Sequence, residues 1–150
     1  MKVELDDLDK SILNLLQNNA RLTYTEISER LKTAEATIRF RVKRLVEKRV
    51  ITKFVALLNP ASIGFSVGGA ILLKTLHTEL EDITMKLSAI HEIPYIYRTT
   101  GEYDLVVAVF AQDMDHFNDL VKEIKTYPGV KDIRVSVITE FIKSDPTFKL

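Results

Sequence analysis

The chain has 150 residues but contains no cysteine and no tryptophan. Without cysteine it can form no disulfide, no thiolate nucleophile and no thiolate metal site, and this absence is neutral about compartment. With 46% hydrophobic and 28% charged residues, the composition is that of an ordinary globular protein. We expect one typical domain or two small ones.

Long hydrophobic runs are also missing. The longest apolar stretches, 70–73 and 105–111, are far shorter than the roughly 20 residues that span a bilayer. The first seven residues, Met-Lys-Val-Glu-Leu-Asp-Asp, place carboxylates where a secretory signal has its apolar core. We therefore expect a cytoplasmic protein with no membrane segment.

The net charge is zero overall, yet the two halves of the chain differ in sign. Residues 1–53 contain 12 Lys or Arg against 8 Asp or Glu, whereas residues 54–150 contain 9 against 13. The segment 21–53 alone holds 10 basic and 4 acidic residues. This asymmetry indicates an anionic partner for the N-terminal part, and a solvated basic face is the alternative.

The N-terminal pattern predicts three short helices, over residues 6–18, 24–31 and 34–48. Asp6 or Asp7 can cap the first helix, and Thr23 with Glu26 forms a capping box for the second. Apolar residues recur at helical spacing along one stripe of the first and third helices: Leu5, Leu8, Ile12, Leu15 and Leu16, then Ile38, Val42 and Leu45.

A short turn between the second helix and a basic third helix is the layout of a helix-turn-helix, in which the later helix reads the DNA major groove. The predicted groove face consists of Ala36, Thr37, Arg39, Phe40, Lys43 and Arg44. Arg and Lys supply charge for phosphates and donors for guanine, and Thr or Phe can contact a thymine methyl. For Phe40, cover by another subunit is an equal alternative to DNA contact.

The second half changes to β periodicity after a predicted strand at 53–58 and turn residues around Pro60. We predict strands over 67–76, 93–99, 102–111 and 130–142, with helices over 79–90 and 113–126. The order is βαββαβ with a hairpin around Gly101, a four-stranded antiparallel sheet covered by helices on one face. The expected domains are 1–53, a hinge strand and linker at 54–66, and 67–150.

The second face of this predicted sheet has no cover within one chain. An open apolar face marks an interface, so we expect face-to-face dimerisation through the C-terminal domain. A two-fold dimer would present two reading helices to DNA half-sites about one helical turn apart, or a multiple of that spacing.

Taken together, these segments make the chain similar to the Lrp/AsnC, or feast/famine, transcription regulators. The resemblance covers nearly the whole chain and rests on the order and spacing of several motifs: Leu5-Asp6-Asp7-Leu8-Asp9, residues 12–21, residues 36–45, Val50-Ile51, Leu58-Asn59-Pro60, Gly64-Phe65 and residues 99–104. It implies an α+β fold, with an N-terminal winged helix-turn-helix, a hinge strand and a C-terminal ferredoxin-like βαββαβ effector domain. It also implies an amino-acid effector, and dimers that assemble into octamers.

In this family the effector lies between subunits, beside the glycine hairpin and near the last strand of a neighbouring chain. The matching positions are Arg98, Thr99, Thr100, Gly101, Glu102, Tyr103 and Asp104, with Ile133, Arg134, Val135, Ser136 and Val137, and with Asn118 and Lys122 on the second helix. Asp104 would accept from the effector ammonium, and backbone N–H groups around Gly101 would bind its carboxylate. The residues alone favour a plain hairpin turn in which Asp104 satisfies local donors, and only the family resemblance favours the effector pocket.

The chain departs from the family pattern at three positions. Lys32 and Arg49 stand where glycine is common, and Ala34 stands where serine is frequent. Thr33 is expected to replace the missing cap of the third helix. A left-handed backbone at Lys32 or Arg49 would cost about 1 kcal/mol or more.

An enzyme is the rival class, but the chain lacks its motifs. His77, His91 and His116 have no metal-binding spacing, and alternation sends Glu102 and Asp104 to opposite faces of a strand. We expect no catalysis, no metal and no cofactor other than the amino-acid effector. The partners expected are double-stranded DNA, a free amino acid and further copies of the chain. The alternative function is an architectural DNA-binding protein without an effector.

Overall fold

The computed structural model describes residues 3–150, which form two compact units. The first unit extends to Leu57 and also includes Lys143–Leu150, and the second is Leu58–Ile142. The sequence pattern predicts one domain over 67–150, whereas the last eight residues, Lys143–Leu150, pack with the first unit.

The first unit contains three helices, α1 (Asp7–Asn18), α2 (Tyr24–Leu31) and α3 (Glu35–Glu47). Asp6 caps α1, where the Asp9 amide donates to its carboxylate at 2.8 Å. The predicted capping box of α2 is present, with Thr23 and Glu26 bonded to each other's backbone amides at 2.7 and 3.2 Å. Local side chains thus satisfy amide groups that a helix start leaves without partners.

The turn before α3 differs from the prediction in one detail. Ala34 precedes α3 without a side-chain cap, and the Thr33 hydroxyl donates to the Leu31 carbonyl at 3.1 Å. The expectation that Thr33 caps α3 is therefore wrong, because its hydroxyl closes the preceding turn. Lys32 and Arg49 both adopt the left-handed conformation, with φ values of 50° and 57°.

One apolar cluster holds the three helices together. It consists of Ile12, Leu13, Leu16, Leu22, Ile27, Ile38, Val42 and Leu45, all buried. Each helix contributes one stripe to this cluster, so the helix spacing of the apolar residues dictates which faces remain outside.

Residues 52–59 form an extended segment with no strand hydrogen bonds. The predicted strand at 53–58 is therefore wrong for the single chain, since a strand needs a neighbouring strand to receive its amide bonds. Phe54, Val55, Leu57 and Leu58 are each at least half exposed. A 3-10 turn over Ala61–Ile63 follows within the second unit and ends at Gly64, whose φ is 94°.

The second unit has the predicted βαββαβ order. Its elements are β1 (Val67–Thr75), α4 (Leu80–Ser88), β2 (Tyr95–Arg98), β3 (Leu105–Ala111), α5 (Met114–Lys125) and β4 (Val130–Val137). All strand pairs are antiparallel, and the strand order is β2-β3-β1-β4. The α+β class and the sheet with helices on one face are confirmed.

All four strands and both helices of this unit are shorter than predicted, and the larger differences have local reasons. β2 begins only at Tyr95, because Pro94 has no N–H to donate to a ladder. β3 begins at Leu105, because Asp104 belongs to the loop that follows β2. β4 ends opposite the start of β1, with one further bond from the Ile138 amide to the Gly68 carbonyl at 2.8 Å. α4 is preceded by a 3-10 turn, His77–Glu79.

The helices pack on one sheet face through a second apolar cluster, which includes Ile71, Leu73, Leu87, Val107 and Phe117. Gly69 is required here by close packing, since a Cβ at this position would lie 2.4 Å from the Phe117 ring. The opposite face carries Ala70, Leu72, Val106, Ala108 and Phe110 from the two central strands. Beside them, Tyr95 and Tyr97 stack with their ring centres 6.2 Å apart, and both are 54% exposed.

The C-terminal segment is held to α1 by a pair of hydrogen bonds. The Gln17 side-chain amide donates to the Phe148 carbonyl at 3.0 Å and accepts from the Phe148 amide at 2.7 Å. This pairing explains why Lys143–Leu150 belongs to the first unit. None of the helices in residues 3–150 combines the length and apolar character needed to cross a bilayer.

Replacing Arg49 by glycine should stabilise the protein, because glycine adopts a positive φ without the Cβ clash. The expected gain in unfolding free energy is at most about 1 kcal/mol, which is a rise of roughly 2–4 °C in Tm. Thermal unfolding followed by circular dichroism measures it. The matched control is Lys48→Gly, one residue earlier at φ of −80°, where glycine should only destabilise. A loss of stability in Arg49→Gly as large as in the control would contradict the argument.

Candidate DNA interface and effector site

Helix α3 presents a distinct outer face. Ile38, Val42 and Leu45 are buried on its inner side, whereas Ala36, Phe40 and Lys43 are exposed. Phe40 is 63% exposed, and the Lys43 side chain, near Glu47 at 3.8 Å, is 76% exposed. The structure thus places these three predicted contact residues together on the accessible face of a basic helix.

Arg39 and Thr37 flank this outer face. Thr37 is half-buried, and the Arg39 guanidinium bonds Glu35 at 2.8 Å and lies 4.9 Å from the centre of the Tyr24 ring. The Glu35 carboxylate also accepts from the Thr25 hydroxyl, and these two bonds lower the pKa of Glu35. The Arg39 side chain remains 64% exposed, so the charge stays available to an incoming anion.

Arg44, the last of the predicted groove residues, is directed toward α1. Its guanidinium bonds the carboxylate of Asp9 at 2.5 Å, and Arg41 bonds the same carboxylate at 3.2 Å. Arg41 also pairs with Asp6, a bond that raises the pKa of Arg41 and contributes to lowering the pKa of Asp6. Asp9 is completely buried.

Sequence reasoning missed Asp9 and Arg41, although a signal was present. Asp9 lies three residues before Ile12 and seven before Leu16, on the apolar stripe of α1. A carboxylate at a core position needs a cationic or donating partner, because a buried charge without one is strongly unfavourable. The basic helix α3 supplies that partner.

The predicted effector hairpin is the loop Thr99 to Asp104 between β2 and β3. The Thr99 amide donates to the Asp104 carbonyl at 2.9 Å, and the Thr99 hydroxyl donates to the Tyr103 carbonyl. Thr100, Gly101 and Glu102 are exposed at its tip. Gly101 has no positive φ, and an added Cβ would meet nothing within 4 Å, so packing within the chain does not require glycine there.

Asp104 accepts two hydrogen bonds from within its own domain. The Thr75 amide donates to its Oδ2 at 2.7 Å and the Thr75 hydroxyl lies at 3.2 Å. The amide bond lowers the pKa of Asp104. In the single chain this carboxylate therefore joins the hairpin to β1, through a donor 29 positions earlier and not through a donor of the hairpin itself.

A polar cluster connects the hairpin to β4. The buried Tyr103 hydroxyl donates to Asp132 at 3.0 Å, and the Arg134 guanidinium lies 5.3 Å from the Tyr103 ring centre. The bond to the Asp132 carboxylate and burial of the phenol raise the pKa of Tyr103. Asp132 was not among the predicted site residues, because nothing in the sequence pairs it with a tyrosine 29 positions earlier.

The other predicted effector residues lie on different surfaces of the second unit, namely both faces of β4, the end of β2 and the exposed side of α5. On β4, Ile133, Val135 and Val137 pair with inward-facing positions of β1, while Arg134 and Ser136 point to the opposite sheet face.

Arg98, at the end of β2, bonds Glu81 at 2.9 Å. On α5, Asn118 and Lys122 are exposed, and Lys122 bonds Asp119 at 2.8 Å, which raises the pKa of Lys122. No hydrogen bond among residues 3–150 connects these α5 residues to the hairpin.

Metal ligation has no support in the described part of the chain. Among residues 3–150, no three histidine or carboxylate side chains converge as a metal site would require. The His116 ring lies 3.7 Å from the Glu92 carboxylate.

A helix-turn-helix unit followed by a separate α+β domain defines the class of DNA-binding regulators with a ligand-binding domain. Family models agree with this class. Residues 5–52 match the winged helix-turn-helix DNA-binding family, and residues 70–148 match the Lrp/AsnC ligand binding domain.

Similar proteins extend this result over the full chain. The chain is 34% identical to the HTH-type transcriptional regulator FL11 of Pyrococcus horikoshii, covering 92% of this chain and 91% of the relative. It is 38% identical to the regulator Ptr1 of Methanocaldococcus jannaschii, covering 93% and 95%. Among solved structures, Escherichia coli AsnC has a TM-score of 0.90 at 25% identity, covering 99% of this chain and all of that one. The regulator NMB0573 of Neisseria meningitidis, solved as an L-Met complex, has a TM-score of 0.90 at 28% identity, covering 97% and 96%.

The chain belongs to the Lrp/AsnC family. It is a DNA-binding transcription regulator and not an enzyme, since the relatives that match it over nearly their whole length are transcriptional regulators.

Replacing Asp104 by asparagine should destabilise the protein by about 1 kcal/mol at pH 7, because a neutral acceptor binds the Thr75 amide less strongly than a carboxylate does. The pKa of Asp104 is below its ordinary value of 3.8, so the carboxylate stabilises the fold above that pH and this contribution is lost as pH falls below it. Urea unfolding at pH 7 and pH 3 should show a gap between wild type and variant that is smaller at pH 3. Glu102→Gln, at the exposed tip, is the control with little expected effect. An equal gap at both pH values would argue against this role.

Proposed function

We propose that this regulator binds DNA sequence-specifically through the outer face of α3 and that a free amino acid, bound in the C-terminal domain, changes its assembly or DNA affinity. The observation that carries the DNA part is the exposed aromatic and basic face of a helix whose other side is buried. The proposed contacts are Ala36, Thr37, Arg39, Phe40 and Lys43, with exposed fractions of 63% for Phe40 and 76% for the Lys43 side chain.

These side chains suit the chemistry of duplex DNA. Lys43 and Arg39 supply positive charge for phosphates, and Arg39 can also donate two hydrogen bonds to guanine. Phe40 offers an apolar contact for a thymine methyl. Since the partner is DNA, the proposed place of action is the cytoplasm.

The effector part is supported by the match of residues 70–148 to a ligand-binding domain and by the similarity to NMB0573, which was solved with L-Met. The hairpin from Arg98 to Asp104 is the proposed site, together with β4 from Ile133 to Val137 and with Asn118 and Lys122. Arg134 beside the Tyr103 ring brings a cation that can bind the effector carboxylate. An effector between subunits would respond to assembly, because a ligand shifts an equilibrium toward the state that it binds better.

The proposed assembly is a dimer, with octamers as the larger form. Two features of the single chain support it. The sheet face that carries Leu72 and Phe110 has two exposed tyrosines beside it, and the extended segment 52–59 has unpaired backbone and exposed apolar side chains. A second copy placed on both would bury apolar surface and give the segment a strand partner.

A thermal-shift panel of the twenty amino acids tests the effector proposal. One or a few of them should raise Tm in a concentration-dependent manner, because a ligand at 100 times its Kd stabilises by about 2.7 kcal/mol. The same compound should alter binding to DNA, measured by fluorescence anisotropy. If all twenty leave Tm and DNA binding unchanged, the architectural function without an effector replaces the proposal.

Replacing Leu72 by aspartate tests the dimer face. Leu72 lies on the face opposite the helices, so a charge there should cause the dimer to dissociate without disturbing the inner core. Size-exclusion chromatography with light scattering measures the mass. Met85→Asp is the control, since Met85 is 67% exposed on α4, and it should keep the wild-type mass. If Leu72→Asp remains a dimer, the dimer interface does not include this sheet face.

A further inference from the structure

We propose that Asp9 is a positioning residue for DNA recognition, and that Arg41 and Arg44 orient α3 rather than bind phosphate. This inference rests on the proposed contact between α3 and duplex DNA. Arg41 and Arg44 are thereby assigned to the buried contact with Asp9. Lys43 and Arg39 remain as the proposed phosphate ligands of α3.

Burial separates the basic residues of α3 into two groups. The side chains of Arg41 and Arg44 are 21% and 30% exposed, whereas those of Arg39 and Lys43 are 64% and 76% exposed. The first pair points toward α1 and the second pair points away from it. Arg41 and Arg44 can approach a phosphate only by breaking a bond to a buried protein partner, whereas the partners of Arg39 and Lys43 are themselves exposed.

The Asp9 carboxylate is that partner. It has no solvent exposure, and its two oxygens bond Arg44 at 2.5 Å and Arg41 at 3.2 Å. The Asp6 amide adds a longer bond at 3.4 Å. If either guanidinium turned outward to a phosphate, a buried negative charge would lose part of its compensation, which is strongly unfavourable.

Two bonds to one carboxylate also constrain geometry. Arg41 and Arg44 lie three residues apart, on the same side of α3. Contacts at two points along the helix restrain its rotation about its own axis as well as its distance from α1. The direction in which Ala36, Phe40 and Lys43 face is thereby restrained, and base recognition depends on that direction.

The salt dependence of DNA binding distinguishes an orienting arginine from a phosphate ligand. Each phosphate contact contributes about 0.9 to the slope of log K against log salt concentration. We would measure binding by anisotropy for wild type, Lys43→Gln and Arg44→Gln on a fluorescein-labelled 30-base-pair duplex that the wild-type protein has selected from a random-sequence pool. Lys43→Gln is the matched control, with the same loss of charge one residue earlier on α3.

The expected result is a smaller slope for Lys43→Gln and an unchanged slope for Arg44→Gln, whose affinity nevertheless falls roughly tenfold. Arg44→Lys should not restore that affinity, because an ammonium cannot replace the planar guanidinium on a buried carboxylate. Circular dichroism at the binding temperature selects conditions in which each variant is folded.

Three outcomes would overturn the proposal: a slope for Arg44→Gln that falls as in Lys43→Gln, an unchanged affinity for Arg44→Gln, or full rescue by Arg44→Lys. A flat salt dependence for the wild type itself would refute the proposed DNA contact of α3, and the inference with it. The wild-type slope therefore separates failure of the proposed function from failure of this assignment.

Discussion

The buried carboxylate of Asp9 connects α1 to α3 within the helix-turn-helix unit. Apolar packing among Ile12, Ile38 and Leu45 brings α1 and α3 together, but such contacts are not directional. The bonds from Arg41 and Arg44 to one carboxylate are directional, and they add a specific orientation to the packed pair. A protein that binds specific DNA sequences needs a fixed helix orientation, because the same helix rotated by a fraction of a turn presents different side chains to the bases.

The two units present different kinds of surface, a basic helix face in the first and a sheet face without helices in the second. The first combines a buried apolar cluster with a basic outer helix face, which suits a polyanion. The second is a sheet with helices on one side only, and Tyr103 of its hairpin loop bonds Asp132 of β4. On its sheet face opposite the helices, only Phe141 is seen to stack on Phe110, and residues 52–59 have no strand pairing among residues 3–150.

Prediction from the sequence was accurate where structure is local. The capping box of Thr23 and Glu26 has its hydrogen-bonding groups within four residues, and the structure contains it. The left-handed turns at Lys32 and Arg49 could be anticipated from the family pattern of glycines at those positions. The predicted strand at 53–58 failed because a short apolar run indicates an extended backbone but cannot supply the neighbouring strand.

The amino-acid sequence alone determined the helices, the βαββαβ order and the family, because periodicity, caps and motif spacing are properties of neighbouring residues. Tertiary structure decided how individual polar groups are used. Arg44 bonds Asp9, 35 positions earlier, Asp104 bonds Thr75, and Tyr103 bonds Asp132. Each of these pairs joins two elements that meet only after folding, so the partner of a charged side chain depends on packing and not on its position along a helix or strand.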